Sequence, residues 1–358
     1  MSDSPVSTMA LAQRLVALLE TGQRQSTYKL ATLMALIDAC VENFPAADST
    51  LAVPIQEIAH RVIAYYWNQS RPYDERGLLS QNKNGGRSIP DLIAPVRNTL
   101  MGQRVRTAEA AREAEAPEYL RLARKVERIV AQLPLTHLQT VPARGSGVGR
   151  QDFIFDASRL HKKMTLAELD AHGPIVLHAG VAKALRELAP LLKPMLEMLW
   201  ATDVANMNRS HLETDDIAGF LFGSDRTALT SLTPHLRDLQ DNRCFYCDRT
   251  VQTAHVDHVL PWSRIPIDGV ANLVLTDDRC NLSKLASLPV PEHLSRALSR
   301  PALDLAEVSK MTRFPVLLDR TQRASLGLYG TIAPGSPLWQ APNRYVPHRE
   351  PGRRSFSF

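Results

Sequence analysis

The chain has 358 residues, 44% of them hydrophobic and 22% charged, with a formal net charge of +5 at pH 7. This length and composition predict two or three domains with real hydrophobic cores and exclude an intrinsically disordered chain. Residues 1–9 lack the features of a signal peptide and no apolar run reaches membrane-spanning length, so we expect a cytoplasmic protein without a membrane partner.

The first hundred residues have the pattern of packed helices. Apolar residues recur at helical spacing through residues 8–19 and 27–44, and Pro54 stands at the first position of a further amphipathic helix. We therefore predict a helical N-terminal domain over residues 1–105. Three aromatic residues end its third helix, and we interpret them as core rather than as base-stacking groups: Tyr65, Tyr66 and Trp67.

A basic segment closes this N-terminal domain. Residues 71–106 carry seven basic and three acidic side chains. Within it, we predict Lys83, Arg87 and Arg97 as phosphate contacts, which would make the domain a DNA-binding module. The alternatives are an ordinary solvated face or a surface for a partner protein.

Residues 106–240 are predicted to be a helical middle region that frames the part of the chain following it. Thr165 and Glu168 have the spacing of a capping box and predict a helix start. The long apolar stretch 175–200 contains Pro190 and Pro194, which are expected to kink it or split it into two helices.

Three of the four cysteines lie within residues 241–290. Cys244 and Cys247 have the spacing of a tight turn that presents two thiolates to one ion. A second pair, Asp277 and Cys280, follows about thirty residues later, as in small zinc sites. We predict a structural Zn²⁺ site with one carboxylate in place of the usual fourth sulfur or nitrogen. The alternative is a set of reduced, buried thiols without metal.

Between these cysteine pairs lie the residue types that phosphodiester hydrolysis requires. A cation must stabilise charge on the phosphoryl oxygens, and a base must take a proton from the attacking water. Histidine is the side chain that most readily gains and loses a proton near neutral pH, and His258 is our candidate for that base. Asp257 and Asn281 offer hard oxygen ligands that suit Mg²⁺ or Mn²⁺. Asn272 is predicted to orient the histidine.

Residues 243–285 resemble the HNH, or His-Me finger, endonuclease family. The resemblance rests on the order Cys-x-x-Cys, Asp-His, Asn and Cys-Asn-x-x-Lys. It implies a small ββα-metal finger in a mainly α chain, in which two strands and a helix surround a catalytic cation. By matching position it implies His258 as the base, Asp257 and Asn281 as ligands of the catalytic metal, and Asn272 as the loop asparagine that fixes the base.

Two positions depart from the family pattern. Asp277 stands where the family often has Cys or His, which bears on zinc binding, and Asn281 stands where the final, name-giving histidine would be. An asparagine there still offers an oxygen ligand. Lys284 closes the motif and is predicted to contact nucleic acid.

The charge of the finger must be complemented from elsewhere if it binds a polyanion. Residues 241–284 carry five basic and six acidic side chains, whereas residues 311–358 carry seven arginines against Asp319 and Glu350. We therefore predict that the segment 291–358 is a basic C-terminal extension that contacts phosphate, with a solvated face as the alternative.

These patterns lead to three functional hypotheses. The first is a divalent-metal-dependent DNA endonuclease, for which the resemblance suggests a role in restriction or in defence against invading DNA. The second is a non-catalytic, zinc-stabilised nucleic-acid-binding module. The third is a ribonuclease or nuclease toxin, because the same chemistry attacks a phosphodiester of either sugar.

Overall fold

The structure is a computed structural model that describes residues 6–21, 25–45, 49–83, 88–142, 148–208, 217–223 and 229–349. The described residues form fourteen α-helices and four two-stranded antiparallel sheets. The prediction of a mainly α chain with a small ββα finger near the C-terminus is confirmed. Within the described ranges, no helix combines the length and the apolar character needed to cross a bilayer.

The helices, in chain order, are α1 (Thr8–Thr21), α2 (Tyr28–Glu42), α3 (Ile55–Gln69), α4 (Ile89–Gly102), α5 (Ala108–Glu113), α6 (Pro117–Val130), α7 (Leu166–His172), α8 (Val181–Met207), α9 (Ile217–Phe222), α10 (Thr233–Leu239), α11 (Asp278–Lys284), α12 (Pro291–Leu298), α13 (Ala302–Thr312) and α14 (Leu318–Tyr329). The strands are β1 (Leu51–Val53), β2 (Thr140–Pro142), β3 (Val148–Arg150), β4 (Ile175–Leu177), β5 (Ala254–His258), β6 (Leu273–Asp277), β7 (Pro337–Ala341) and β8 (Arg344–Pro347).

The chain divides into two compact units, each built from two segments. The first unit comprises Met1–Thr99 and Glu115–Gly223, and the second comprises Leu100–Ala114 and Ser224–Phe358. The second unit therefore contains the finger and also α5, a short helix from the first third of the chain.

The core of the first unit forms around α2, whose residues are buried on nearly every side. The helix packs against α3 and α8, and α3 also packs against α6. The aromatic end of α3 belongs to this core, because Tyr65, Tyr66 and Trp67 are all buried. A helix with apolar residues on nearly every side is expected to be buried in this way, and its two acids, Asp38 and Glu42, are buried with it.

The two prolines expected to break the apolar stretch lie inside one continuous helix. Pro190 and Pro194 both fall within α8, and both are exposed. Each proline removes one backbone hydrogen bond, but at an exposed position the carbonyl that loses its partner can bond to water. Of the two expected effects, a kink or a split, the split does not occur, because α8 is continuous through both prolines.

The first unit also buries a charged cluster. The Lys193 ammonium lies 2.8 Å from Asp38 Oδ1, and the Tyr65 hydroxyl donates to Asp38 Oδ2. Nearby in the chain, the Arg61 guanidinium donates two hydrogen bonds, of 2.8 and 2.7 Å, to the Glu42 carboxylate. Buried charges are tolerated when they are matched and hydrogen-bonded in this way.

The second unit places helices around the finger. The helix α10 leads into it, α12 to α14 follow it, and the hairpin β7–β8 packs against α11. The Trp339 indole on β7 donates to Ser283 Oγ on α11 at 3.0 Å. The finger helix is thus fixed from outside by a buried tryptophan.

Candidate active site and metal centre

Two antiparallel strands and a short helix form the frame of the site. In the β5–β6 pair, Asp257 lies opposite Val274 and His258 lies opposite Leu273, where β5 ends. Asp277 ends β6 and caps α11, because its carboxylate accepts a 2.6 Å hydrogen bond from the backbone N–H of Cys280. The order strand, strand, helix is that of a ββα finger.

The four predicted zinc ligands lie together. The ligand atoms of Cys244, Cys247, Asp277 and Cys280 all lie within 4.8 Å of one another. Ligands at zinc distances in a tetrahedron are separated by about 3.8 Å, so a small inward movement would complete a site. The turn that carries the first pair is closed by a 2.9 Å hydrogen bond from the Asp248 N–H to the Cys244 carbonyl.

The protonation of this cluster fits a cation site. The hydrogen bond from Cys280 lowers the pKa of Cys244 to about 5, against the effect of burial. Burial and the hydrogen bond to Asp277 raise the pKa of Cys247 to about 11. Burial opposes ionisation of Asp277, but hydrogen bonds from Cys247 and Cys280 outweigh it and lower its pKa. The set thus holds a thiolate and a carboxylate beside two thiols, and a divalent ion would displace the two thiol protons.

Asp257 is held by two donors on the same oxygen. The Tyr246 hydroxyl donates to Asp257 Oδ2 at 2.6 Å, and Lys284 Nζ lies 3.0 Å from that oxygen. Among the described residues both contacts fall on Oδ2, so Oδ1 is available to a cation. Burial, followed by the charge of Asp257, raises the pKa of Tyr246. The tyrosine therefore stays protonated and donating.

Lys284 lies inside the finger. Its side chain is fully buried, and its ammonium donates to the His258 carbonyl at 2.7 Å as well as binding Asp257. Burial lowers the pKa of Lys284, while the charge of Asp257 opposes that effect. The predicted contact with nucleic acid does not fit this position. The side chain instead joins α11 to the end of β5.

His258 is buried with one ring nitrogen bonded. Its side chain is 6% exposed, and Nε2 lies 2.7 Å from Asp268 Oδ1. Asp268 comes from the loop between β5 and β6. His258 therefore lies at the end of β5, next to Asp257 in the chain, and its ring is bonded to the Asp268 carboxylate.

The side chain of Asn272 fixes the same loop by binding the backbone of that loop. Its Oδ1 accepts from the Leu260 N–H at 2.8 Å, and its Nδ2 donates to the carbonyls of Leu260 and Ile267 at 3.1 and 3.2 Å. All three bonds go to the loop that connects His258 to Asp268. The asparagine thus acts on the histidine through the loop and not through the imidazole ring itself.

Asn281 lies half-buried on α11, three residues before Lys284. Residues three apart share one face of a helix. Because Lys284 reaches Asp257 and the end of β5, Asn281 lies on the helix face that is turned towards them. This placement agrees with a role beside Asp257 at a cation.

The predicted phosphate contacts of the N-terminal region have different surroundings. Lys83 is exposed, whereas Arg97 is buried, with 7% of its surface exposed. Arg87 lies outside the described residues. The prediction of a phosphate contact at Arg97 is therefore wrong, because a guanidinium must be accessible to solvent to bind a phosphate.

Two residues of the site were missed at the level of sequence. Tyr246 lies between the first two cysteines, and this position inside the motif could have marked it as a residue of the site. Its hydrogen bond to Asp257, however, depends on how the strands fold. Asp268 precedes Gly269 in a loop with a turn-like composition, and nothing in its spacing from His258 indicates that the two meet.

Comparisons with known proteins agree with a chain made of two parts. The family model described as a domain of unknown function, DUF8808, matches residues 7–221, which is more than half of the chain. The chain belongs to the DUF8808 family. A second family model, described as HNH endonuclease, matches residues 244–290. No curated protein and no solved structure matches the chain significantly.

The HNH match bears on this DUF8808 protein's activity. It covers the three cysteines of the cluster together with Asp257, His258, Asn272 and Asn281. The match supports nuclease activity in general, and HNH nucleases depend on a metal.

Proposed function

We propose that the protein is a metal-dependent endonuclease that hydrolyses phosphodiester bonds in DNA. The observation that carries the proposal is the pairing of Asp257, held through one oxygen by Tyr246 and Lys284, with His258 at the end of the same strand. A carboxylate fixed in this way is preorganised for a cation, and an adjacent imidazole is placed to act on water.

The chemistry follows from these groups. His258 accepts a proton from a water molecule, and the resulting hydroxide oxygen attacks phosphorus. As that P–O bond forms, the bond to the leaving sugar oxygen breaks, and this oxygen takes a proton from solvent. A bound Mg²⁺ or Mn²⁺ at Asp257 and Asn281 would stabilise negative charge on the phosphoryl and leaving oxygens.

We propose a separate structural role for Cys244, Cys247, Asp277 and Cys280. Three sulfurs and one carboxylate oxygen suit Zn²⁺ better than a hard cation, and all four positions are filled by protein, as in structural sites. The ion would fix the turn that carries Tyr246 to the start of α11. It would therefore support Asp257 indirectly.

We further propose that the DUF8808 region finds or positions the DNA, or binds a partner protein, and that the protein acts in restriction or defence against invading DNA. This setting rests on the resemblance of the finger to those of restriction enzymes and nuclease effectors. It is an analogy of the site rather than of the whole chain.

The test is cleavage of supercoiled plasmid by the full chain in Mg²⁺, in Mn²⁺ and in EDTA. We expect nicking or cutting with either metal and none in EDTA. The variant His258→Ala should lose about 10²–10⁴-fold in rate, because it removes the base. The matched control is His161→Ala, which changes an exposed histidine of the first unit.

Three outcomes would contradict the proposal. Full activity in His258→Ala would remove the assigned base. Binding without cleavage in every metal would favour the zinc-stabilised binding module. Faster cleavage of a matched RNA than of the DNA would favour a ribonuclease.

A further inference from the structure

The loop between β5 and β6 brings a carboxylate to the candidate base. Asp268 Oδ1 lies 2.7 Å from His258 Nε2, and the two side chains are 18% and 6% exposed. A second histidine–carboxylate pair in the same finger provides a comparison. His255 Nε2 lies 3.0 Å from Asp278 Oδ1, but those side chains are 34% and 57% exposed. Only the first pair is shielded from competition with water.

The backbone before Asp268 is held by side chains from two directions. Asn272 Nδ2 donates to the Ile267 carbonyl at 3.2 Å, and the Arg320 guanidinium donates to the Pro266 carbonyl at 3.2 Å. These bonds fix the two residues that lead into Asp268. The carboxylate is therefore presented by a restrained loop.

The backbone after Asp268 is packed against the start of α14. A Cβ added at Gly269 would lie 2.6 Å from the Leu317 Cβ and 2.8 Å from the Val316 carbonyl oxygen, which real Cβ atoms do not approach. The next residue, Val270, donates its N–H to the Pro315 carbonyl at 2.8 Å. Glycine is thus required for the close approach that fixes this side of the loop.

We propose that Asp268 is a positioning residue that orients His258 for proton transfer. It accepts the Nε2–H of the imidazole, so that Nδ1 is the unprotonated nitrogen that takes the proton of the attacking water. The inference rests on the proposed nuclease function and adds a residue that acts through His258 without touching substrate. Carboxylates behind a functional histidine set its tautomer and ring orientation in this manner.

The proposal predicts an effect on turnover and not on substrate binding. Without an acceptor at Nε2, the ring populates the wrong tautomer and can rotate. The rate constant kcat should fall, while KM for plasmid should stay within about twofold, because Asp268 makes no contact with the substrate.

The experiment compares Asp268→Ala and Asp268→Asn with the wild-type chain on plasmid in Mg²⁺. We expect Asp268→Ala to lower kcat by about 10–100-fold, as for other supporting residues of this kind. Asp268→Asn should lose at least as much, because its amide can turn an N–H towards Nε2 and stabilise the wrong tautomer. The matched control is Asp278→Asn, which removes the carboxylate of the exposed pair with His255 and should leave kcat unchanged.

A spectroscopic measurement keeps this test independent of the activity. In protein labelled with ¹⁵N at histidine, and with the signal assigned from a His258→Gln spectrum, His258 should be protonated at Nε2 in the wild-type chain. It should become a mixture of tautomers in Asp268→Ala. A wild-type chain that fails to cleave plasmid would overturn the proposed function, yet this measurement would still decide whether Asp268 sets the tautomer.

Three results would overturn the inference. They are a kcat in Asp268→Ala within twofold of wild type, an equal loss of kcat in Asp278→Asn, and an unchanged His258 tautomer in Asp268→Ala. Thermal unfolding of each variant shows whether it is folded, and Asp268→Asn retains the size of the side chain if Asp268→Ala does not fold.

Discussion

A single tyrosine connects the two centres of the finger at the scale of residues. Tyr246 lies between Cys244 and Cys247, and its hydroxyl donates to Asp257. The turn that binds the predicted zinc is therefore the turn that orients the predicted ligand of the catalytic cation. Loss of the first ion should disturb the second site, although no ligand is shared between them.

The zinc prediction is tested by removing one sulfur. Cys247→Ser should lower bound zinc from about one ion per chain and lower the unfolding midpoint of the finger-containing unit by about 5–10 °C, because a structural ion contributes folding free energy directly. Elemental analysis and calorimetry measure the two effects. Cys40→Ala is the control, since Cys40 lies outside the cluster and should leave the zinc content unchanged. Wild-type protein without zinc would contradict the prediction.

The residues that could be predicted from sequence are those whose spacing carries the chemistry. Cys244, Cys247 and Cys280 have a local motif, and the structure brings them together with Asp277. Lys284 and Asp268 behave differently, because burial and loop closure decide what they contact. A lysine at the end of a motif resembles a surface contact until the fold is known to bury it against Asp257.

At the scale of elements, local signals predicted helix starts better than helix continuity. Thr165 and Glu168 form the expected capping box. The Thr165 hydroxyl accepts from the Glu168 N–H at 3.2 Å, and the Glu168 carboxylate accepts from the Thr165 N–H at 2.7 Å. Pro190 and Pro194 did not split α8, since tertiary packing outweighed their local cost. Capping depends on four neighbouring residues, whereas continuity depends on what the helix packs against.

The buried charged cluster of Asp38 and Lys193 makes the stability of the first unit depend on pH. Glu197 lies four residues after Lys193, and burial raises its pKa to about 7, with Lys193 opposing the shift and Asp38 adding to it. An acid whose pKa is raised by folding contributes its full stability below the unfolded value of about 4.5. That contribution is lost as the pH rises through about 7.

We therefore expect the stability of the Glu197→Gln variant to increase relative to that of the wild-type chain as the pH rises from 5 to 8. The difference in free energy of unfolding between variant and wild type should change by about 2 kcal/mol over this interval. Urea unfolding at the two pH values measures it. The control Glu20→Gln changes an exposed acid of α1 in the same unit and should show no such trend. A difference that is constant with pH would contradict the prediction.

At the scale of the whole molecule, the distribution of charge matters more than the net value of +5. The finger is near neutral, and its Lys284 is matched to Asp257 inside the fold. In the N-terminal basic segment Arg97 is buried as well. The C-terminal extension instead presents exposed arginines in the same unit as the finger: Arg313, Arg323, Arg344 and Arg349. This segment is the better candidate for phosphate contact.

The share of that segment in DNA binding is measurable from salt dependence. Each phosphate contact contributes about 0.9 to the slope of log affinity against log salt on duplex DNA. Replacing Arg313, Arg323 and Arg344 together with glutamine should therefore reduce the slope by up to about 2.7. Binding of a labelled duplex is measured at several salt concentrations in the presence of Ca²⁺ or EDTA, so that cleavage does not interfere.

The control removes the same charge from the first unit. Arg121, Lys125 and Arg128 are exposed on α6, and their triple replacement with glutamine lowers the net charge by the same three units. A general effect of net charge would lower both slopes equally, whereas direct phosphate contact lowers only the first. If the α6 variant alone loses slope, the DUF8808 region holds the DNA and the C-terminal arginines are a solvated face. If the C-terminal variant alone loses slope, the unit that carries the HNH finger also binds its own substrate.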